Sequence, residues 1–213
     1  MTSIDQKANR HTRSRYDFMA PFYNAMEFVV EKLRFQHWRK ALWRKVPVGH
    51  VLEVGVGTGK NMPYYSSGMQ VTAIDLSEKM IAQAEKTAKK SVNVQLEIRA
   101  MDAQQLEFGD NNFDSVLATF VFCSVPDPVL GLQEARRVTK SGGQLFLLEH
   151  MVSGWPWLAR LMIKIDGLVH WIMGLHIARP TVAHVEEAGW VVDQVTPLGP
   201  TGIFRMIEAH KNA

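Results

Sequence analysis

The chain has only one cysteine, Cys123, among its 213 residues. One cysteine excludes an internal disulfide framework and leaves too few ligands for a cysteine-rich zinc site, so we predict no metal. No apolar run reaches the roughly 18 residues of a transmembrane helix, and no secretory signal pattern is found. We therefore expect a cytoplasmic protein that is soluble or at most bound to a membrane surface.

Charge of either sign is modest, at 21% of residues, whereas apolar residues make up 46% and suffice to bury a core. The net charge of +3 is concentrated in residues 1–45, which contain ten Lys and Arg against four Asp and Glu. This basic end suits phosphate on lipid headgroups or nucleic acid. A solvated helix face explains the same pattern equally well.

Short apolar runs alternate with helical patterns, which is typical of βαβ units and a mostly parallel sheet. The predicted strands cover residues 51–55, 71–75, 94–99, 113–119, 144–150, 190–196 and 203–210. Helices are predicted over 77–88, 127–138 and 181–188, and residues 140–143 are predicted to form a helix stop and turn. The last two strands are predicted to form a hairpin.

A glycine-rich turn follows the first predicted strand, with Gly55, Gly57 and Gly59 in the spacing G-x-G-x-G. This spacing differs from the dinucleotide pattern G-x-G-x-x-G, and Asn61 after Lys60 excludes a phosphate-binding P-loop. Glycines permit a tight turn and let a ligand approach the backbone closely. The turn therefore indicates that a nucleoside is held near the main chain.

Two acidic residues follow the next two predicted strands. Asp75 ends the second strand, where a carboxylate can accept hydrogen bonds from both ribose hydroxyls. Leu76 and Met80 can form one wall of an adenine site. Asp102, followed by Ala103, can bind the adenine amino group, although an N-cap role is the alternative.

These motifs together resemble motifs I, II and III of class I S-adenosylmethionine-dependent methyltransferases, over about residues 50–150. The resemblance implies a Rossmann-like α/β fold with a seven-stranded sheet of order 3-2-1-4-5-7-6, strand 7 antiparallel, and S-adenosylmethionine as cofactor. It assigns cofactor binding to Glu53, Gly55, Gly57, Gly59, Asp75, Leu76, Met80, Asp102, Ala103, Thr119 and Phe120.

Residues 1–46 are predicted to form a helical lid and membrane-contacting arm before the core of residues 47–213. The arm contains the pattern Arg-Tyr-Asp…Ala-Pro-x-Tyr-Asn from residue 15 to 24, which resembles the lid of quinone methyltransferases and of bacterial phospholipid N-methyltransferases of the Rhodobacter type. Tyr16 and Tyr23 are predicted to close over the sulfonium by cation–π contact. Anchoring of the arm on the core is the alternative.

Two further segments carry information about the acceptor. Residues 31–46 form a basic amphipathic pattern, whose Arg39, Lys40 and Arg44 suit an anionic membrane surface. Within an insertion over residues 151–180, residues 155–176 are apolar nearly all round, so they must be buried or face an apolar ligand or bilayer. In the family this insertion lies over the acceptor site, so we predict a lipid-like acceptor bound by Trp155 and Arg179. A surface charge is the alternative for Arg179.

The segment 122–128 and the Leu-Glu-His sequence at 148–150 resemble phospholipid N-methyltransferases and animal thiol methyltransferases. We therefore predict stepwise N-methylation of phosphatidylethanolamine toward phosphatidylcholine, on the cytoplasmic membrane face. Glu149 and His150 are predicted to orient the amine or relay its proton, or else to support the site through hydrogen bonds. A quinone-ring C-methyltransferase, an alkyl-thiol S-methyltransferase and a non-enzymatic cofactor-binding regulatory module remain alternatives. No nucleic-acid acceptor is expected, because the signature of base amino methylation is absent.

Overall fold

The computed structural model describes residues 4–21, 31–91, 94–173 and 175–213. Its strands are β1 (His50–Val54), β2 (Gln70–Asp75), β3 (Gln95–Ala100), β4 (Phe113–Thr119), β5 (Thr139–His150), β6 (Val191–Leu198) and β7 (Phe204–His210). They form one sheet of order β3-β2-β1-β4-β5-β7-β6. Strands β1 to β5 pair in parallel, whereas β7 is antiparallel to both β5 and β6. The predicted α/β fold and strand order are confirmed.

Helices surround this sheet and several begin at side-chain caps. They are α1 (Gln6–Met19), α2 (Gln36–Trp43), α3 (Glu78–Ser91), α4 (Pro128–Val138), α5 (Pro156–Met173) and α6 (Thr181–Glu187), with a π-helical turn at Glu31–Phe35 and a 3-10 turn at Met62–Tyr64. Asp127 caps α4 by accepting a hydrogen bond from the Leu130 backbone. Among the described residues, no helix is both long and apolar enough to cross a membrane.

The hydrophobic core lies on both faces of the sheet, as expected for parallel strands covered by helices. On one face Leu132 of α4 and Val185 of α6 join a buried cluster that includes Leu52 and Val54 of β1. On the other face Trp43 of α2, only 1% exposed, packs in a second cluster. Packing of α2 against the sheet therefore brings the chain's basic end next to the core.

Strand β5 begins earlier than predicted, directly where α4 ends. Thr139 pairs with Phe113, and the register then shifts before Ser115. The predicted turn is therefore a bulged start of the strand, in which Gly142 has φ of +72°. The neighbouring Gly143 is buried against β4 and has no room for a side chain.

Replacing Gly143 with alanine is expected to lower the free energy of unfolding by about 1–3 kcal/mol, the usual cost of overpacking. The new Cβ would lie 2.5 Å from Thr139 Cγ2 and 2.8 Å from the carbonyl oxygen of Asp114. Gly109→Ala is the matched control, because a Cβ there meets no described atom within 4 Å. Urea unfolding of both variants tests this expectation, and equal midpoints would contradict it.

Candidate active site

A cleft of about 830 Å³, including its solvent-open part, lies at the carboxyl ends of β1, β2 and β4. The strand order reverses between β1 and β4, which is where open α/β sheets bind ligands. Nine of the eleven predicted cofactor residues line it: Gly55, Gly57, Asp75, Leu76, Met80, Asp102, Ala103, Thr119 and Phe120. The glycine spacing, the two acidic residues and the family resemblance together therefore predicted most of this cleft.

The three glycines of the turn have positive φ but different surroundings. A Cβ at Gly55 would lie 2.3 Å from Val121 Cγ2, and one at Gly59 would lie 2.8 Å from Met62 Sδ. A Cβ at Gly57 would instead meet no described atom within 4 Å. Gly57 therefore leaves open space over the backbone of the cleft, which fits the close approach of a bound nucleoside. Gly59 serves packing and does not line the cleft.

The Asp75 carboxylate is fixed by two backbone donors. Its Oδ2 accepts from the Gly57 N–H at 2.8 Å and its Oδ1 accepts from the Ser77 N–H at 2.9 Å. Burial raises the pKa of Asp75, and these two hydrogen bonds oppose the shift. Each oxygen retains a lone pair, so the oriented carboxylate can still accept bonds from vicinal hydroxyls.

Asp102 is held by neighbouring amides. Its Oδ2 accepts from Asn9 Nδ2 at 2.5 Å, and its Oδ1 accepts from Gln104 Nε2 at 3.1 Å and from the Gln104 backbone at 2.9 Å. Asn9 belongs to α1 and is 7% exposed. Helix α1 therefore reaches directly onto the cofactor side of the cleft.

Further contacts hold α1 against the cleft. Ser77 Oγ donates to Asp17 Oδ1 at 2.6 Å, and Thr12 Oγ1 donates to the carbonyl oxygen of Ser124 at 3.5 Å. Tyr16 lines the cleft, and burial raises the pKa of its hydroxyl so that it stays protonated. Tyr23, the second tyrosine predicted to close over the sulfonium, lies outside the described residues.

Sequence reasoning missed Arg39 as a cleft residue. It was expected on a membrane-facing surface, but it is 5% exposed and lines the cleft. Its Nε donates to Glu31 Oε1 at 3.1 Å, and its Nη1 donates to Asn61 Oδ1 at 3.1 Å and to Thr119 Oγ1. The amphipathic pattern of α2 could not reveal this position. Sequence pattern does not distinguish an arginine that is buried with polar partners from an arginine on a solvated face.

Glu53 lies behind the cleft and does not line it. Its side chain is fully buried and accepts hydrogen bonds from Asn61 Nδ2 at 2.6 Å and from the Tyr65 hydroxyl. Burial raises the pKa of Glu53 to about 7, although both hydrogen bonds oppose the shift. Glu53 thus orients Asn61, which in turn contacts Arg39 and Thr119 in the cleft wall.

A strained turn follows β4 and is braced by Glu149. Phe120 has φ of +60°, an unfavourable value for a bulky residue. Glu149 Oε1 accepts from the backbone N–H groups of Val121 at 2.8 Å and Phe122 at 2.9 Å. Its Oε2 has no hydrogen-bond partner among the described residues, and burial raises the pKa of Glu149 to about 7.

Aromatic rings form the side of the site next to Phe120. We call Phe35, Trp38, Phe120 and Phe204 the aromatic wall. Phe35 lies 4.7 Å from Phe120 and 5.4 Å from Phe204 between ring centroids. His150 lies 6.5 Å from Phe204, and neither of its ring nitrogens has a hydrogen-bond partner in the part of the chain described. Burial lowers the pKa of His150, so the imidazole is neutral at neutral pH.

Trp155 and Arg179, the two residues predicted to bind the acceptor, do not line the cleft. Trp155 is 45% exposed at the start of α5, with its ring 6.2 Å from that of Trp157. Arg179 Nη1 donates to the carbonyl oxygens of Phe122 at 3.0 Å and Val125 at 2.8 Å. The structure therefore gives Arg179 an internal contact with the segment after β4, and contact with a lipid phosphate stays a prediction.

Comparison with known proteins gives the family. The sequence profile described as Methyltransferase domain matches residues 52–147. A phosphatidylethanolamine N-methyltransferase of Cereibacter sphaeroides is 37% identical over 163 residues, covering 75% of this chain and 78% of that protein. The chain belongs to the S-adenosylmethionine-dependent methyltransferases. S-adenosylmethionine is accordingly its cofactor, and the non-enzymatic regulatory alternative is set aside.

Other methyltransferases resemble this one to a lesser degree. A demethylmenaquinone methyltransferase of Renibacterium salmoninarum is 33% identical and a thiol S-methyltransferase of Rattus norvegicus is also 33% identical. They match 69% and 65% of this chain, which covers 61% and 58% of their own lengths. A solved methyltransferase of Thermotoga maritima shares the fold, with a TM-score of 0.69, 23% identity and coverage of 95% of this chain and all of that one.

In this methyltransferase the position of Arg39 suits the carboxylate of the cofactor's amino-acid end. The guanidinium is buried in the cleft wall beside Thr119, and Lys60 also lines the cleft. The Glu31 carboxylate pairs with both cations, with Glu31 Oε1 3.1 Å from Arg39 Nε and Glu31 Oε2 3.7 Å from Lys60 Nζ. These three side chains together keep one net positive charge, which favours an anionic group in the partly desolvated cleft. We therefore expect Arg39 to bind that carboxylate.

Arg39→Gln is expected to weaken S-adenosylmethionine binding roughly 10- to 100-fold, because a hydrogen bond to a charged group contributes about 1.5–3 kcal/mol. Methylthioadenosine lacks the carboxylate, so its affinity should stay unchanged. Lys40→Gln is the matched control, since Lys40 is exposed on the same helix. Calorimetric titration measures the affinity for each of the two ligands. If both affinities fell in parallel, Arg39 would only support the fold of the cleft.

Proposed function

We propose that this methyltransferase transfers methyl groups to the amine of phosphatidylethanolamine, in steps toward phosphatidylcholine, at the anionic face of the cytoplasmic membrane. The observation that carries this proposal is the position of His150. A neutral imidazole without a hydrogen-bond partner among the described residues lies against the aromatic wall, and Phe120 of that wall lines the cofactor cleft. His150 does not itself line the cleft, and we assign it the proton of an ammonium group that binds against this wall.

Proton removal must precede transfer, because a protonated amine has no lone pair. His150 is the group suited to accept that proton, and Glu149 holds the adjacent turn through Val121 and Phe122. When bound, S-adenosylmethionine supplies the methyl group, so that the nitrogen forms a bond to carbon, the carbon–sulfur bond breaks and S-adenosylhomocysteine leaves. The residues of the lid align the reactants and exclude water.

The aromatic wall supports an acceptor that becomes more apolar with each added methyl group and is a permanent cation after the third. Aromatic faces attract alkylammonium groups by about 0.5–2 kcal/mol per ring. Arg39 lies 5.2 Å from the Phe120 ring centroid, so that ring already contacts a cation. The Cereibacter sphaeroides relative, named for methylation of phosphatidylethanolamine, adds support from sequence.

A quinone-ring C-methyltransferase is the second candidate. The rings of Phe35, Phe120 and Phe204 offer flat apolar surfaces that suit a planar acceptor as well as an ammonium group. The demethylmenaquinone methyltransferase relative favours the same activity. An assay with all three acceptors distinguishes this candidate and the thiol methyltransferase alternative from methylation of the lipid.

Incubation with S-adenosylmethionine and phosphatidylethanolamine vesicles is expected to give mono-, di- and trimethylated lipid in succession, as followed by mass spectrometry. Parallel reactions contain a demethylmenaquinol or a small alkyl thiol instead. Absence of methylated lipid together with turnover of either alternative acceptor would overturn the lipid proposal. A separate measurement of S-adenosylmethionine binding verifies that the purified protein is folded and binds its cofactor.

His150→Gln is expected to lower kcat for the lipid by about 100- to 10,000-fold, the usual contribution of general base catalysis, with cofactor affinity unchanged. Wild-type kcat should fall as the pH is lowered through the pKa of His150, and the variant should lack that dependence. His210→Gln is the control, because His210 pairs with Asp193 at the surface, far along β7. An unchanged pH profile in His150→Gln would assign proton transfer to another group.

A further inference from the structure

The apolar side chains of α5 are largely exposed. Trp157, Ile163, Leu168 and Trp171 are each 60–67% exposed, whereas Met162 on the opposite side is 6% exposed. A helix in contact with water normally presents its polar face outward. A large apolar patch on a protein surface usually marks a site of interaction with another molecule or a membrane.

The exposed charges of α5 are all positive. Arg160 and Lys164 lie on the exposed side, whereas the carboxylate of Asp166 is turned inward. Asp166 Oδ1 accepts from the Ile177 N–H at 2.6 Å, and its Oδ2 contacts His176 Nδ1 at 2.6 Å. Two cations among tryptophans and aliphatic side chains complement an anionic lipid surface, because phosphates can pair with the cations while the interface takes up the apolar side chains.

The patch continues onto the lid and reaches the rim of the cleft. Arg15 Nη2 of α1 donates to the carbonyl oxygen of Trp171 at 2.9 Å, and Phe18, one turn further along α1, is 73% exposed. Past the end of α5, the His176 N–H donates to the carbonyl oxygen of Cys123, the residue before Ser124 of the cleft lining. A surface that covers this patch therefore also borders the active site.

We propose that the exposed face of α5, extended by Phe18, docks this protein on an anionic bilayer. The helix has 18 residues with Arg160, Lys164 and Asp166 in its middle, so it lies along the surface instead of crossing it. Trp157 and Trp171 enter the interface, and the two cations extend toward lipid phosphates. The docking rests on the proposed function in one respect: a lipid acceptor would explain why the protein binds a bilayer.

Flotation with vesicles of phosphatidylcholine and phosphatidylglycerol, without phosphatidylethanolamine, measures docking separately from turnover. The variant carries Trp157→Gln, Leu161→Gln, Leu168→Gln and Trp171→Gln, and we expect its bound fraction to fall at least tenfold. The matched control replaces the exposed Lys40 and Arg44 of α2 with glutamine, and we expect it to bind as the wild type does. The melting temperature and the S-adenosylmethionine affinity of both variants are compared with those of the wild type.

Lipids brominated on the acyl chains add a second readout. They should quench the wild-type tryptophan fluorescence, and Trp157→Phe with Trp171→Phe should remove most of that quenching while binding persists. Equal binding of the quadruple variant, or loss of binding only in the α2 control, would overturn the proposal. A wild-type dimer in sedimentation velocity that becomes monomeric in the quadruple variant, without vesicle binding, would assign the patch to a second copy of the chain. Failure of lipid methylation with docking intact would affect only the proposed function.

Discussion

The hydrogen bond from the Gly57 N–H to the Asp75 carboxylate joins the two loops on which the cofactor site depends. It requires β1 and β2 to be adjacent and parallel, because only then do both loops leave the sheet at the same edge. It also requires the positive φ of the glycine turn, which directs the N–H toward β2. The Ser77 N–H holds the second oxygen and leads directly into α3. Sheet pairing, turn geometry and helix start are thus fixed together by one carboxylate.

A second set of buried polar contacts ties the amino-terminal elements to this frame. Glu53, Asn61, Thr119 and Arg39 form one connected network beside the cleft, and Glu31 joins it from the preceding turn. Buried charges are costly unless they are paired and hydrogen-bonded, so this network is favourable only when α2 is docked. The cofactor would enter a wall that the chain has already ordered, which lowers the cost of binding.

Local sequence pattern was sufficient for the features that depend on the backbone near each motif. The glycine spacing, Asp75 and Asp102 predicted the cleft, because parallel strands bring their carboxyl ends together whatever the side chains elsewhere. Contacts between distant segments could not be predicted in this way. Asn9 reaches Asp102 across 93 positions, and Arg39 reaches Thr119 across 80. Burial of these residues depends on how α1 and α2 dock, and the periodicity of a helix does not specify its neighbours.

The apolar helix α5 also shows what sequence pattern cannot predict about the surroundings of a helix. Its composition requires contact with something apolar, but composition alone does not distinguish a core from a bilayer. In the structure Trp157 and Trp171 are exposed and Asp166 turns inward to His176, which excludes a core position for this face and supports the proposed docking on a bilayer. Because the cleft rim lies next to the end of α5, the proposed docking would place lipid headgroups at the entrance to the cleft. On this proposal, docking would select acceptors by their membrane location, in addition to the chemistry of the site itself.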